Sequence, residues 1–402
     1  MVRTGSSGYL QYGKEATFAG GAVRTRVFGL FQKITGVTWK NNQIPIPALN
    51  DIEVKCFAYG KNEGSGSVEF VMSSPWIFDI MLDGVLTSGS AGDFTHKWGS
   101  AKGFGEAPIN LTSVSIHATA PVVTTSGAHG YSNGDTIAIT GSDAVPSVNG
   151  NWVISAASGS VFSISTTTTG AGTAVGTANK VLNATIATPH TMHIEHGLDA
   201  ETNNVVRNMK GVVMNSLTLK ATLNETVKAT AELVWGNEDA VTTTLDGSPA
   251  ADDVKFPYTF AHASLELPGA TTVAQIQEFE LTFNLNSELL YGIGSANAVS
   301  AFRKIFDMTG KFKAATVDKT QLQRIFDAAD GTTANTGIAT LKVTLTNGLA
   351  TTNEKAIILD FTGVGTSEHQ TQMEPGEPVF EDLVWQLRNV TVTANNGIAT
   401  PA

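Results

Sequence analysis

His190, His193 and His196, with Glu195 among them, are residues of the types that bind divalent metal. A metal site needs its ligands to converge, and on a strand with a two-residue period His193 points away from the other two. The spacing therefore predicts ordinary strand histidines and no metal site. Gly292-Ile293-Gly294 has the first two glycines of a dinucleotide loop but neither the third nor a βαβ context, and reads as a plain loop. The paired acids Asp252-Asp253 and Glu381-Asp382 are of the type a glycosidase needs, yet adjacent residues on a strand face opposite ways. No G-x-S-x-G elbow, H-E-x-x-H helix or phosphate-binding loop occurs. These residues predict no catalytic set and no cofactor, and the chain is expected not to be an enzyme. Trp152, in Val148-Asn149-Gly150-Asn151-Trp152-Val153, could stack on a sugar, but a small module needs its largest apolar side chain inside, so a core position is expected. Cys56 is the single cysteine and cannot form an internal disulfide; with Phe57 and Tyr59 beside it, a buried strand thiol is predicted.

The elements that would carry these residues follow from composition and pattern. The chain has 402 residues, enough for two or three folded units, with 15% charged residues and 40 glycines. Abundant Thr, Ser, Val and Gly point to β architecture with many turns. A formal net charge of -11 argues against a surface built to grip phosphate backbone. The N-terminal stretch has no apolar export segment, and no run of about eighteen apolar residues is present, so a soluble chain is expected.

Alternation predicts strands in Arg26 to Lys40 and in Gly66 to Met72. Ser74-Pro75 reads as an N-cap and first-turn proline ahead of a short helix through Trp76, Ile77, Ile80 and Met81, ending at Gly84. The same order returns with a strand at Phe279 to Leu285, a glycine-led strand from Gly310, and a helix capped by Asp318 and Gln321 that ends at Gly331. Strands close both halves: Val212 to Leu223 and Val227 to Trp235 in one, Leu341 to Thr346, Ala356 to Phe361 and Val379 to Val392 in the other. An internal duplication is inferred from this order of elements. Between matching elements lies a nearly uncharged segment with short strands at Val122, Thr136, Asn151 and Val161, which reads as an inserted β module.

Gly13 to Gly20, the Gly66-led strand and helix, His193 to Asp199, and Gly211 to Leu219 together resemble the tail tube proteins of tailed bacteriophages and archaeal viruses. The Thr124 to Asp135 and Val148 to Val153 phrases resemble small β modules that decorate phage virion proteins. The resemblance implies a mainly β fold with two tail-tube-type antiparallel sandwich or barrel domains, each with a short helix, plus a small barrel or Ig-like insert. Residues 1–107 and 182–240 would form the first tail-tube domain, 108–181 the insert and 241–402 the second domain. It further implies a structural virion protein, assembled in the host cytoplasm, whose rings stack into the tube through which DNA passes without specific binding. Expected partners are copies of itself, in trimeric pseudo-sixfold or hexameric rings, and tape-measure, terminator and baseplate proteins, with no membrane. The alternative is a tail-tip adhesin that recognises a carbohydrate or host surface. Two apolar loops, Asn42 to Gly64 and Tyr291 to Met308, are the expected inter-subunit contacts, through Ile44, Ile46, Leu49, Phe57 and Tyr59 in the first and Tyr291, Phe302, Ile305 and Phe306 in the second.

Overall fold

The computed structural model describes residues 8–24, 26–28, 30–47, 54–82, 86–90, 93–100, 108–173, 176–181, 190–198, 205–241, 257–267, 271–272, 276–315, 340–348, 355–373, 375 and 379–396. They divide into two compact units, one of residues 1–82, 87–97 and 187–402, the other of 83–86 and 98–186. The second helix expected from the sequence, at Asp318 to Gly331, lies outside the described residues, as does Gly84.

The larger unit opens with β1 (Gly8–Lys14), β2 (Arg26–Val27), β3 (Leu30–Asn41), β4 (Ile44–Pro47), β5 (Val54–Ala58) and β6 (Asn62–Val71). A single-turn helix α1 (Phe78–Met81) follows, then β7 (Leu86–Ser90) and β8 (Asp93–Gly99). The sequence reading placed the helix cap at Ser74. The structure instead starts the helix after Ile77, and Ser74 Oγ accepts the Trp76 amide at 3.4 Å in the preceding turn.

The smaller unit consists of β9 (Ile109–Val114), β10 (Val122–Thr125), β11 (Thr136–Thr140), β12 (Gly150–Ser158), β13 (Val161–Ile164), β14 (Gly172–Thr173) and β15 (Thr177–Lys180). Pairing runs β10-β13-β12-β11-β15-β9 and returns to β10, closing a six-strand barrel that leaves no edge among those strands. Val123, Ile137, Ile139, Val148 and Phe162 fill it. Trp152 is half-buried against that core, and its indole N–H donates to Val148 O at 2.7 Å.

The chain returns to the larger unit with β16 (Met192–Leu198), β17 (Val205–Thr222), β18 (Lys228–Trp235) and β19 (Asn237–Val241). Next come β20 (Ala263–Leu267), β21 (Thr271–Thr272), β22 (Ile276–Asn284), β23 (Ser287–Tyr291), β24 (Ala298–Arg303) and β25 (Asp307–Ala315). It ends with β26 (Thr340–Thr346), β27 (Ala356–Thr362), β28 (Gly365–Gln372), β29 (Phe380–Leu387) and β30 (Val390–Asn396).

Eight of these strands form one antiparallel ladder in the order β3-β6-β18-β17-β22-β25-β29-β28. Alternation gives it two unlike faces. Val68, Phe70, Leu217, Leu219, Leu281, Phe283, Leu383 and Trp385 point into the core, each side chain contributing about 1.5–3 kcal/mol by burial. Glu69, Thr218, Thr230, Thr282, Lys311 and Lys313 occupy the opposite face, half-buried or exposed.

The ladder is built from two sets of four strands with matching registers. Gly66 pairs with Leu233 between β6 and β18, and Gly310 pairs with Trp385 between β25 and β29. Three residues beyond each glycine the ladder skips one residue of the neighbouring strand, Gln32 in β3 and Gln277 in β22. A second bulge leaves out Asn215 in β17 and Ser367 in β28. Strand β17 turns at Gly211 (φ +64°), where a Cβ would come within 2.9 Å of the Phe18 ring, and the chain turns between β27 and β28 at Gly363 (φ +73°).

Past these glycines each set continues into an outer sheet. One runs β2-β1-β16, then the first half of β17, then β19; the other runs β21-β20-β26-β27-β30. Their registers correspond as well: Met209 pairs with Glu238 and Phe361 with Val390, Leu10 with His196 and Leu265 with Val343.

Buried charges tie the N-terminal strands to α1. Asp79 bonds Arg26 Nη1 at 3.0 Å and Lys14 Nζ at 3.4 Å. Burial would raise the Asp79 pKa, but Lys14 and Arg26 outweigh it and hold the carboxyl below its ordinary value. Glu15 accepts the amides of Ala19, Gly21 and Gly211 at 3.1–3.2 Å, anchoring the 15–22 segment over the β17 bend.

Candidate assembly surfaces

Segment 42–64 is not the loop expected from its sequence: β4 and β5 pair into a two-stranded ribbon joined to no other strand among the described residues. Register puts Ile44, Ile46, Cys56 and Ala58 on one face and Pro45 and Phe57 on the other. Ile44, Ile46, Phe57 and Tyr59 are exposed, Tyr59 by 82%. Cys56 is exposed too, correcting the expectation of a buried thiol, because the ribbon has no core to pack on. Leu49 lies outside the described residues.

The counterpart segment is also a ribbon, β23 with β24, turning at Gly292 to Gly294. Of its expected contact residues Ile305 is 81% exposed, while Tyr291, Phe302 and Phe306 are half-buried. Tyr291 donates its hydroxyl to Asn62 O at 2.7 Å beneath the Lys61 ammonium, and the Asn62 amide donates to Ala296 O at 2.7 Å. The base of the first ribbon and the tip of the second are thus bonded within the chain. Asn62, which also donates its side-chain amide to Asn297 Oδ1 at 2.6 Å, and Ala296 carry these bonds and are missed by sequence reasoning, which weighs only apolar side chains.

Two edges of the eight-strand ladder, β3 and β28, have no further strand among the described residues. Both carry exposed polar side chains: Gln32, Lys33 and Lys40 on β3, Glu368 and Gln370 on β28. On the polar face between them, cations sit beside acids. Lys220 lies 2.5 Å from Glu278, and Lys311 lies 3.8 Å from Glu280. The hydrogen bond that Lys220 donates to Glu278 raises the Lys220 pKa, keeping the ammonium charged and partnered.

The residues singled out for chemistry are occupied otherwise. His193 is buried, with Nδ1 2.9 Å from both the amide nitrogen and the carbonyl oxygen of Ala22 and Nε2 beside Asn208 Oδ1. Glu195 is buried in an ion pair with Arg24 at 2.7 Å. Glu381 and Asp382 point to opposite faces of β29, Glu381 buried and Asp382 half-buried, and Asp252-Asp253 lie outside the described residues. Among the described residues, no three metal-capable side chains cluster.

The phage tail tube protein family matches residues 189–394, from the start of β16 through most of β30. The chain belongs to the phage tail tube proteins. No curated protein matches it. The match covers half of the chain and includes both the ladder's junction, β17 with β22, and its outer edge β28. As a member of this family the chain is a structural component of the virion tail, built on a mainly β fold.

Proposed function

We propose that three copies of this chain close a ring with pseudo-sixfold symmetry, and that rings stack into a tube through which DNA passes. One observation carries the reading: the ladder contains two sets of four strands with matching registers and two shared bulges, at Gln32 and Gln277 and at Asn215 and Ser367, joined at β17–β22; β3 has one further irregularity, at Gly36 and Val37, that β22 lacks. We infer from this an internal duplication, with residues 1–107 and 182–240 as one tail-tube domain, 241–402 as the other and 108–181 as an insert. In the correspondence β28 stands for β17 and β3 for β22. The seam already made inside the chain is then the template for a seam between copies, β28 of one against β3 of the next, and a heterologous contact of this kind closes by rotation.

Transferring the β17–β22 register to that seam sets Glu368 of one copy opposite Lys40 of the next, as Ser216 stands opposite Asn284 within the chain. Once the ladders join edge to edge, the face packed on the core lies outside and the charged face lines the bore. Lys220 and Lys311 on that face are held by Glu278 and Glu280, so a passing phosphate backbone meets paired charge at these positions. The exposed apolar β4–β5 ribbon fits the axial contact with the next ring. Tape-measure, terminator and baseplate proteins would then be the partners at the bore and the tube ends, with assembly in the host cytoplasm.

Negative-stain microscopy of the purified chain across concentration and salt tests the reading. Hollow tubes or rings whose end-on averages contain three copies are expected. Six copies per ring would refute the duplication-based symmetry, and a chain that stays monomeric even when offered tail-tip complexes as nuclei would refute the tube.

A further inference from the structure

The outer sheets differ in one respect that the correspondence between halves exposes. In the second half the sheet does not stop at β30: β8 and then β7, which belong to the first half, continue it. Thr95 Oγ1 donates to Asn395 Oδ1 at 3.1 Å across that junction. Strand β30 has a counterpart in β19, since Glu238 opposite Met209 matches Val390 opposite Phe361, and Val241 opposite Val206 matches Thr393 opposite Ile358. Yet β19 pairs only with β17 among the described residues. An arm from the first half thus covers the second half's edge, while the equivalent edge of the first half has no added strand among the described residues.

We infer that β19 accepts a strand from a second copy of this chain, adding a second seam in the outer sheet beside the β28–β3 seam of the inner ladder. The inference rests on the ring proposed above and names a contact that reading does not require. The geometry is consistent between layers. Inside the chain, the first half meets the second at β17–β22 in the ladder and at β8–β30 in the outer sheet, so the two layers join the same pair of halves. Repeating that pair around the ring presents the second half of one copy to both β3 and β19 of the next. An added strand would satisfy the outward amides and carbonyls of Asn237–Val241 with backbone bonds, which is how open sheet edges bind a partner chain. The side chains beside this edge are already committed: Glu238 bonds Arg207 and the Trp235 indole, and Asp239 pairs with Lys210. The backbone is what remains to recognise a partner, and its chemistry suits a strand better than a small ligand.

Hydrogen exchange of the full chain, compared between the dispersed and assembled states, tests this with an internal control. Strand β30, covered by β8, is expected to be protected in both states. The Asn237–Val241 amides turned away from β17 are expected to exchange quickly in the dispersed chain and to slow on assembly by on the order of tenfold or more, the equivalent of one net hydrogen bond each. Rings or tubes that form with β19 exchanging as fast as before would overturn the inference while leaving the ring intact. Protection of β19 already present in the dispersed chain would overturn it as well, by showing the edge to be covered within one copy. Failure of any assembly would remove the ring and this seam together.

Discussion

Reversing one charge at the β28 edge tests the seam register directly. With Glu368 opposite Lys40 of the next copy, the pair contributes about 0.2–1 kcal/mol, as opposite charges facing each other across strands do. Glu368→Lys turns attraction into like-charge repulsion of similar size, a swing of roughly 0.4–2 kcal/mol per seam at low salt. Because one tenfold change corresponds to about 1.4 kcal/mol, the critical concentration for assembly should rise by between about twofold and about thirtyfold. Lys40 also stands opposite Glu63 within its own chain, so Lys40→Glu weakens β3–β6 on its own account. The quantity to read is therefore the coupling in a double-mutant cycle over the wild type, the two single variants and the pair. The assay is sedimentation of assembled material across chain concentrations at low and high salt, with melting of the dispersed chain run alongside to separate folding from assembly. Recovery of assembly in the double variant, fading with added salt, is the expected result. A coupling of zero would mean that β28 and β3 meet in another register or not at all.

Asp79→Asn should destabilise α1 and its strands by about 3–5 kcal/mol, because the buried Arg26 would be left without its counter-charge and the half-buried Lys14 would lose its partner; urea-dependent hydrogen exchange of Phe78–Leu82 reads this. The folded Asp79 pKa is depressed, so its contribution is present above the unfolded carboxylate value and is lost as pH falls through the folded one; the wild type should weaken below about pH 4 more steeply than Asp79→Asn. Gly64→Ala would place a Cβ 2.2 Å from the Trp235 ring, and the overpacking should lower stability by about 1–3 kcal/mol, seen as a lower Tm. Glu278→Gln with Glu280→Gln would release Lys220 and Lys311 in the proposed bore, and tubes of that variant should retain DNA at low salt and shed it as salt rises, whereas wild-type tubes should not. Phe57→Asp with Ile46→Asp on the β4–β5 ribbon should leave rings but suppress stacking, as scored by tube length in micrographs.

Strands with one wet face were legible because alternation survives there: β6, β18, β22 and β25 each read as apolar and polar in turn, and each was found. β1 was not, because Leu10, Gln11 and Tyr12 are all buried and leave no period to read. The Val379 to Val392 run reads as one strand, but it breaks at Asn389, a positive-φ residue, into β29 and β30 in different sheets. Cys56 reads as a core thiol because apolar neighbours usually mark an interior, and on the β4–β5 ribbon they mark an exposed surface. Trp152 lies between the two readings weighed for it, packed on one side and open on the other.

The proposed duplication is legible in the sequence only as an order of elements, because what the two sets of strands share is backbone irregularity and not side-chain identity. A bulge needs one residue left out of the ladder, and Gln32 and Gln277 serve that equally, as do Asn215 and Ser367. A turn at positive φ is more restrictive, and there both halves have glycine, Gly211 and Gly363. These features fix where each ladder bends and where its edge lies, so two halves that share them present the same edges. In the proposed ring, linking such halves in one chain would turn every second seam into an intramolecular one. The β17–β22 seam would then form without the loss of translational freedom that β28–β3 must overcome, because the halves meet at high effective concentration. On that proposal the asymmetry sets an order of events, with the eight-strand ladder formed at any dilution and ring closure waiting for concentration or a nucleus. A chain with Pro substituted at Thr218, in the centre of β17, should therefore lose the folded state, whereas Pro at Gln370, at the corresponding place in β28, should leave a folded monomer that cannot close a ring.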